Sequence, residues 1–262
     1  AATSERSVVV FDLGGVLIEW NPRYLYRQLF AGDEAGMEAF LAEVCTEEWN
    51  ERQDAGRLFS EAEAELIARH PDKADLIRAW CARFDDMIPG AIEGTVSILS
   101  ELKQRNTPLY AITNWSSETF PSQLTRFPFL GWFRGIVVSG DEGIIKPDAR
   151  IFHRLLDRYS VDARRAVFID DNPANAKAAT NLGIHGIHFS EPARLRRELV
   201  SLVATQMAFA RWDAPGEISR PIPVCGAGQQ ENDPYERQLS EERNTLRSKF
   251  RETLEKIRPR RD

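Results

Sequence analysis

The sequence predicts an α/β fold in which a doubly wound parallel sheet carries a small all-helical insertion after its first strand. Short apolar runs recur along the chain, and each is followed by a segment with helical periodicity. The runs are apolar without alternation, which is typical of strands that helices cover on both faces. Strands that alternate with helices form right-handed βαβ units, so we expect the sheet to be parallel.

Composition agrees with a globular chain that buries a substantial core. The 262 residues are 42% hydrophobic and 28% charged, as in ordinary folded domains. The net charge of −6 is carried by the residues before 204, because the later residues are nearly balanced. An acidic body without a basic stripe disfavours nucleic-acid binding. No apolar run approaches the roughly 20 residues of a membrane-spanning helix, so we expect neither nucleic acid nor membrane as a partner.

Five apolar runs are the candidate strands. They span residues 8–11, 109–112, 136–138, 166–169 and 186–189. In an open parallel sheet, ligands bind at the carboxyl ends of the strands. Polar residues that follow these runs are therefore the first candidates for a functional site.

The long interval between the first two runs has helical periodicity. Apolar residues recur at three- and four-residue spacing over 22–30, 35–45, 60–69 and 72–87. Ser60 followed by Glu63 indicates a capping box at the start of the third helix. An insertion at this point of a parallel sheet lies above the strand ends. We therefore expect residues 19–91 to form a helical cap, and residues 7–18 with 92–203 to form the core.

The chain changes character after the last predicted core helix, 192–203. Residues 213–234 are rich in Pro and Gly, which indicates a linker. Residues 235–257 place their apolar side chains on one helical face among many charges, which predicts an amphipathic helix. We expect residues 204–262 to be a linker plus this helix, which docks on its own body or joins a second copy into a homo-oligomer.

The cysteines indicate the compartment. Cys45, Cys81 and Cys225 are widely separated and odd in number, which argues against a disulfide framework and favours a reducing environment. No signal peptide is visible near the start of the sequence. The expected location is the cytoplasm.

Polar residues stand at four of the strand ends or in the loops that follow them. They are Asp12 after the first strand, Thr113 and Asn114 after the second, Lys146 after the third, and Asp170 and Asp171 after the fourth. Because the carboxyl ends of parallel strands meet at one edge of the sheet, we expect these residues to form one pocket.

Three aspartates in one pocket raise each other's pKa unless a cation lies between them. Mg²⁺ suits this place because it prefers oxygen ligands and is commonly held by one or two carboxylates and a substrate phosphate. With the charge neutralised, one aspartate can attack phosphorus and form an aspartyl-phosphate intermediate. Lys146 and the hydroxyl of Thr113 would then hold the oxygens of the phosphoryl group.

Four short motifs carry a resemblance to a known family. They read Phe-Asp-Leu-Gly-Gly-Val-Leu at 11–17, Ile-Thr-Asn at 112–114, Ile-Lys-Pro-Asp at 145–148 and Phe-Ile-Asp-Asp-Asn-Pro-Ala-Asn at 168–175. In this order, and on these element types, they resemble the haloacid dehalogenase-like hydrolase superfamily. The resemblance covers about residues 7–203. It implies a Rossmann-like core with the cap in the family's first insertion position, and a phosphatase similar to bacterial sugar-phosphate phosphatases.

The resemblance also implies catalytic and substrate-binding roles. Asp12 would be the nucleophile, and Lys146 the cation that orients the phosphoryl group. Thr113 would bind phosphate through its hydroxyl, with Asn114 beside it. The implied activity is magnesium-dependent hydrolysis of a small phosphorylated metabolite.

The same resemblance implies a magnesium site. Asp12 and Asp171 would be direct ligands, with Asp170 beside them. The backbone carbonyl of Gly14 would supply a further ligand.

One position departs from the family's pattern. Phosphatases of the superfamily usually have a second aspartate two residues after the nucleophile, which protonates the leaving group and activates water. This chain has Gly14 there. General acid–base help is worth about 10²–10⁴-fold, so its loss slows the departure of poor leaving groups more than good ones. Glu19 is the candidate replacement.

Two other functions stay open beside the phosphatase. A 2-haloacid dehalogenase also attacks with an aspartate and needs no metal, but such enzymes typically lack a pair like Asp170 and Asp171. A binding or regulatory protein that kept the fold and lost the activity would account for Gly14. Residues 170–173 also admit a plain structural interpretation, because Asp and Asn favour helix N-caps and Pro the first helical turn.

Overall fold

The computed structural model describes residues 8–212, with side chains through residue 202, and shows five parallel strands in one sheet. The strands are β1 (Val8–Phe11), β2 (Leu109–Thr113), β3 (Gly135–Val138), β4 (Ala166–Asp170) and β5 (His185–His188). Their order across the sheet is β3-β2-β1-β4-β5. Every neighbouring pair is parallel. The predicted doubly wound α/β fold is therefore confirmed.

The central strand shows why its sequence is apolar throughout. Val9 and Phe11 belong to one buried apolar cluster, and Val10 belongs to a second. Successive side chains of a strand point to opposite faces of the sheet. Each face of β1 is therefore covered by its own layer of the core.

Six α-helices lie between β1 and β2, and the first five form the insertion. These five are α1 (Arg23–Leu29), α2 (Glu34–Glu43), α3 (Glu47–Asp54), α4 (Phe59–Arg69) and α5 (Ala74–Ala82). The sequence did not predict α3, because two of its three buried residues, Asn50 and Gln53, are polar. The helix expected over 72–87 is α5 between two short 3-10 turns.

An aromatic cluster holds the inserted helices together. The ring of the buried Trp80 lies 5.5 Å from that of Trp49, 5.9 Å from that of Tyr26 and 6.4 Å from that of Trp20. Such pairs are worth about 0.5–1.5 kcal/mol each beyond the area they bury. The Trp80 Nε1–H donates to Asn50 Oδ1 at 3.1 Å. This bond ties α3 to the cluster.

The start of α4 differs from the expected capping box. The helix begins at Phe59, so Ser60 lies inside it, and no side chain of its own segment caps it. Instead the backbone N–H of Phe59 donates to Glu118 Oε2 at 2.7 Å. Because Glu118 belongs to the loop after β2, a carboxylate from the sheet region accepts a hydrogen bond from an N–H group in the first turn of a helix in the insertion.

The remaining helices flank the sheet. They are α6 (Glu93–Gln104), α7 (Phe120–Arg126), α8 (Ser139–Glu142), α9 (Ala149–Tyr159), α10 (Pro173–Asn181) and α11 (Pro192–Trp212). The last of these continues past the expected end at residue 203, because no Pro or Gly interrupts the chain before Pro215.

One expectation concerns residues that the structure does not describe, and a second can be checked within residues 8–212. The predicted linker and amphipathic helix over 213–262 lie outside the described residues. Among residues 8–212, no helix combines the length and the hydrophobicity that crossing a membrane requires.

Candidate active site

Lys146 stands between two aspartates at the carboxyl edge of the sheet. Its Nζ lies 2.8 Å from Asp12 Oδ2 and 2.7 Å from Asp170 Oδ2. All three residues are buried, and Asp170 is 0% exposed. The ends of β1 and β4 and the loop after α8 therefore meet, as the sequence predicts.

The loop that carries Lys146 is fixed by Asn114. The side chain of Asn114 donates to the Lys146 carbonyl at 3.1 Å and accepts from the Lys146 N–H at 2.8 Å. The Lys146 Nζ also donates to the carbonyl of Ile112 at 3.1 Å. The amide of Asn114 is therefore occupied in positioning Lys146, and its predicted contact with substrate stays a prediction.

Asp170 is saturated with hydrogen-bond donors. Besides Lys146, it receives the N–H of Asn172 at 2.8 Å and the side-chain amide of Asn175 at 3.1 Å. The alternative interpretation of this motif, as a helix cap, holds for Asn172. Asn172 caps α10 by accepting from the Ala174 N–H, and Pro173 occupies the first turn. The motif thus builds a helix cap and an acidic strand end side by side.

The acidic residues of the site fit a divalent cation. One oxygen each of Asp12, Asp170 and Asp171 can be chosen so that all lie within 4.8 Å of one another. Gly15 has φ +71, and a Cβ there would overlap the Asp171 carboxylate, so only glycine leaves room for this arrangement. Oxygen donors at such spacing suit Mg²⁺. The predicted ligand role of the Gly14 carbonyl stays a prediction.

Burial and mutual repulsion shift the ionisation of these groups. Burial raises the pKa of Asp12 well above its ordinary value, and Asp170 and Asp171 add to the rise while Lys146 opposes it. Burial also raises the pKa of Asp171, with Asp170 contributing. Burial lowers the pKa of Lys146, but Asp12 and Asp170 outweigh it and the net shift is upward. Three carboxylates share one lysine, which leaves a shortage of positive charge that a cation relieves.

Two further predicted site residues, Thr113 and Glu19, differ in their surroundings. Thr113 is buried at the end of β2, in register with Val138 of β3. Glu19 is exposed, and its carboxylate accepts the hydroxyl of Tyr24 in α1. The role of Glu19 as an acid stays a prediction.

The structure adds a carboxyl group that sequence reasoning missed. Asp54, the last residue of α3, accepts from the side chain of Asn50 at 3.0 Å and from the backbone N–H of Ser116. Ser116 belongs to the loop that begins with Asn114. No motif marks Asp54, and the helix that carries it was not predicted. The one local signal in the sequence is that Asp54 follows Asn50 by one helical turn, a spacing at which two side chains can interact.

An open parallel sheet with carboxylates and a lysine at its carboxyl edge is typical of α/β proteins that bind a ligand there. The model of the haloacid dehalogenase-like hydrolase family matches residues 9–189. The chain belongs to this family and is a hydrolase. The resemblance carried by the four motifs is confirmed.

A curated relative of similar length is a fungal enzyme. The sesquiterpene phosphatase astK of Aspergillus oryzae is 27% identical over 203 residues, which cover 74% of this chain and 95% of that protein. The alignment thus covers nearly the whole length of a phosphatase.

Two solved structures share the fold. The HAD family enzyme bt-2542 of Bacteroides thetaiotaomicron, in complex with magnesium and inorganic phosphate, aligns with a TM-score of 0.54 at 21% identity, over 69% of this chain and 92% of that one. The L-2-haloacid dehalogenase of Xanthobacter autotrophicus, with chloropropionic acid covalently bound, aligns with a TM-score of 0.50 at 15% identity, over 75% and 83%. At this identity the likeness concerns the fold alone.

Proposed function

We propose that this hydrolase cleaves a small phosphomonoester, such as a sugar phosphate or a similar metabolite, with Mg²⁺ and through an aspartyl-phosphate on Asp12. The observation that carries the proposal is the ion pair of Lys146 with Asp12 and Asp170, next to Asp171. A site with three carboxylates repels an anionic ester unless a cation is bound. Hydrolysis of a phosphate ester at this site would therefore require a cation such as Mg²⁺. The likeness to a phosphatase over 95% of its length supports it.

The residues of the chain would carry the two half-reactions. The Leu13 N–H donates to Asp12 Oδ1 at 2.7 Å and Lys146 holds Oδ2, so the nucleophile is oriented through both oxygens. First, an Asp12 oxygen attacks phosphorus and the bond to the ester oxygen breaks. Then water attacks phosphorus and the bond to Asp12 breaks. The Thr113 hydroxyl and Lys146 would bind the phosphoryl oxygens.

Mg²⁺ would be held by Asp12, Asp171 and the carbonyl of Gly14, with Asp170 beside them. When bound, it supplies a positive charge against the phosphoryl oxygens. Because the Nζ of Lys146 contacts Asp12, Asp170 and the carbonyl of Ile112, the lysine would also position the nucleophile.

The proposal extends to partners and compartment. The partner is a small phosphorylated metabolite rather than nucleic acid or membrane, and a homo-oligomer would form through the helix expected in 235–257. The working compartment is the cytoplasm. In its support, Cys45 and Cys81 are free thiols, and burial raises the pKa of Cys45 to about 12.

Phosphate release tests the proposal directly. The purified full chain is incubated with Mg²⁺ and a panel of sugar phosphates and one aryl phosphate. We expect release that EDTA stops and that Asp12→Asn reduces to background. The exposed Asp141→Asn serves as a matched control that keeps full activity. No release from any ester, or release unchanged in Asp12→Asn, contradicts the proposal.

The dehalogenase alternative has one specific observation in its favour, the shared fold with the haloacid dehalogenase. It predicts halide release from 2-chloropropionate that persists in EDTA. The binding-protein alternative predicts no turnover with either substrate. Binding of beryllium fluoride with Mg²⁺, which mimics an acyl phosphate, would speak against it.

A further inference from the structure

Asp54 lies where the insertion meets the loop after β2. Its carboxylate accepts from the Ser116 N–H and from Asn50 Nδ2 at 3.0 Å. Ser116 comes three residues after Thr113, the predicted phosphate-binding hydroxyl. The carboxyl group of Asp54 is therefore attached to the same loop that would bind the phosphoryl group.

The backbone at the end of α3 is fixed to the core as well. The Ser139 hydroxyl donates to the Asp54 carbonyl at 2.6 Å and accepts from the Trp115 N–H at 2.9 Å. Two residues on, a Cβ at Gly56 would lie 3.0 Å from the carbonyl oxygen of Gly140. Contacts with the loop after β2 and with α8 thus determine the place of Asp54, and a proton donor needs such fixed geometry.

The charges around Asp54 come from both sides of this boundary. Glu51 lies one turn back on α3, and the positive charge of Lys146 acts on the Asp54 carboxyl from the core. Lys146 also contacts Asp12, so the Asp54 carboxyl acts on the same cation as the nucleophile. Burial raises the pKa of Asp54 to about 7, with Glu51 adding to the rise and Ser116, Lys146 and Asn50 opposing it. A carboxyl with this pKa exchanges its proton near neutral pH, which suits an acid–base catalyst.

We propose that Asp54 is the general acid and base of the reaction, in the role that Gly14 leaves without a side chain. The inference rests on the proposed phosphatase function. Asp54 is better placed than Glu19, which is exposed and bonded to Tyr24. A residue of the inserted helices would then complete the catalytic site of the core.

The proton balance is closed over the two half-reactions. In the first, an Asp12 oxygen attacks phosphorus, the bond to the leaving oxygen breaks, and Asp54 gives its proton to that oxygen. In the second, the Asp54 carboxylate takes a proton from water, the water oxygen attacks phosphorus, and the bond to Asp12 breaks. Phosphate leaves with Asp12 ionised and Asp54 protonated again.

Leaving-group dependence of kcat/KM tests the assignment. A series of phosphomonoesters from p-nitrophenyl phosphate to alkyl and sugar phosphates is compared in the wild type and Asp54→Asn. We expect kcat/KM to fall about 10²–10⁴-fold for alkyl esters and to change little for the nitrophenyl ester, whose leaving group needs no proton. A merely structural residue would lower kcat/KM for every ester by the same factor.

Two further variants serve as controls. Glu47→Gln neutralises an exposed carboxylate on the same helix and should leave the whole series unchanged. Gly14→Asp in the Asp54→Asn background returns a carboxyl group to the family's usual position, where a Cβ meets no atom within 4 Å. We expect this double variant to regain turnover of alkyl esters.

A measurement on the wild type needs no variant. For alkyl esters, kcat/KM should fall as pH rises above about 7, the pKa of Asp54, because the acid form is lost. For the nitrophenyl ester this decline should be absent. The same decline with both kinds of ester contradicts the role of Asp54.

Failure of this inference can be told apart from failure of the proposed function. If the wild type releases phosphate from no ester, the phosphatase proposal falls. If the wild type hydrolyses alkyl esters and Asp54→Asn affects both kinds of ester equally, or neither, the phosphatase stands and Asp54 is not its acid. Thermal unfolding of each variant verifies that it is folded.

Discussion

At the scale of single residues, Lys146 is the connection between the strand ends. It is 2% exposed and pairs with two buried carboxylates. Burying charges costs free energy that the pairing offsets only when partners and hydrogen bonds are complete. The carbonyl of Ile112 completes those of the Lys146 ammonium, and Asn172 and Asn175 donate to Asp170. Removing one charge from this group is therefore more disruptive than removing an exposed ion pair.

Lys146→Met should destabilise the metal-free protein by about 3–5 kcal/mol, the usual cost of leaving a buried charge without its partner. It should also abolish phosphate release, because Asp12 loses the cation that positions it. Urea unfolding and a phosphate assay measure the two effects. Lys177→Met, at an exposed lysine of α10, should leave both unchanged. A stability within about 0.5 kcal/mol of the wild type would show that the buried pair contributes nothing.

Asp54 predicts a pH dependence of stability. In the folded state the pKa of Asp54 is about 7, against the usual 3.8. Burial and the charge of Glu51 raise it more than the charge of Lys146 lowers it. Between these values the folded state binds more protons than the unfolded state, so the free energy of unfolding falls as pH rises from about 4 to about 7. Asp54→Asn should weaken this decline. Urea unfolding of the metal-free protein at both ends of the window measures it, and equal slopes in variant and wild type would refute the expected titration.

At the scale of elements, α3 joins the insertion to the core. Thr46 caps its start by accepting from the Trp49 N–H at 3.1 Å, and Ser139 holds its end. Its buried residues are the polar Asn50 and Gln53 and one aromatic residue, Trp49, whose ring packs on two others. A helix with a polar buried face gives a weak apolar periodicity, so its existence and its contact with the core follow from packing and not from pattern.

Ser139→Ala should loosen the end of α3. It leaves the Asp54 carbonyl and the Trp115 N–H without the hydroxyl that serves both, which costs about 1–3 kcal/mol for a buried polar group. Thermal unfolding should show the loss, and hydrogen exchange should accelerate in the last turn of α3. Ser97→Ala, at an exposed position of α6, is the control and should change stability by less than about 0.5 kcal/mol. Unchanged exchange in α3 would argue against this connection.

At the scale of the whole molecule, the order of the strands assembles the site. β1 lies in the centre with β2 and β4 on either side, so Asp12 is flanked by the ends that carry Thr113 and Asp170. These residues are far apart along the chain. Among the residues that the structure describes, the buried apolar members of the two clusters fall between Val9 and Leu195.

Deletion of residues 213–262 should therefore leave the core folded. We expect the shortened chain to keep its near-ultraviolet circular dichroism and its phosphate release, because every described site residue remains. Sedimentation of both chains shows whether the oligomeric state changes, as the helix expected in 235–257 predicts. Loss of the thermal transition in the shortened chain would show instead that the tail stabilises the core.

The sequence by itself determined the parallel sheet and the helical insertion, and it predicted which candidate site residues lie together at the sheet edge. Continuous apolar runs fix strands that are covered on both faces, and strand ends in a parallel sheet meet at one edge. Asp12, Lys146 and Asp170 could therefore be assigned to one pocket before any contact was known. The family match confirms what the four motifs imply about the class of enzyme.

Only the tertiary structure decided the contacts between insertion and core. The cap of α4 comes from Glu118 and not from Ser60, and the carboxyl group beside the predicted phosphate loop is Asp54 and not Glu19. In both cases the partner lies more than fifty residues away in the sequence. Local pattern reports the periodicity of one element at a time, whereas such pairings depend on how two elements pack against each other. That dependence is why the sequence alone points to Asp12 as the aspartate proposed to attack, whereas only packing revealed Asp54 as the aspartate proposed to donate the proton.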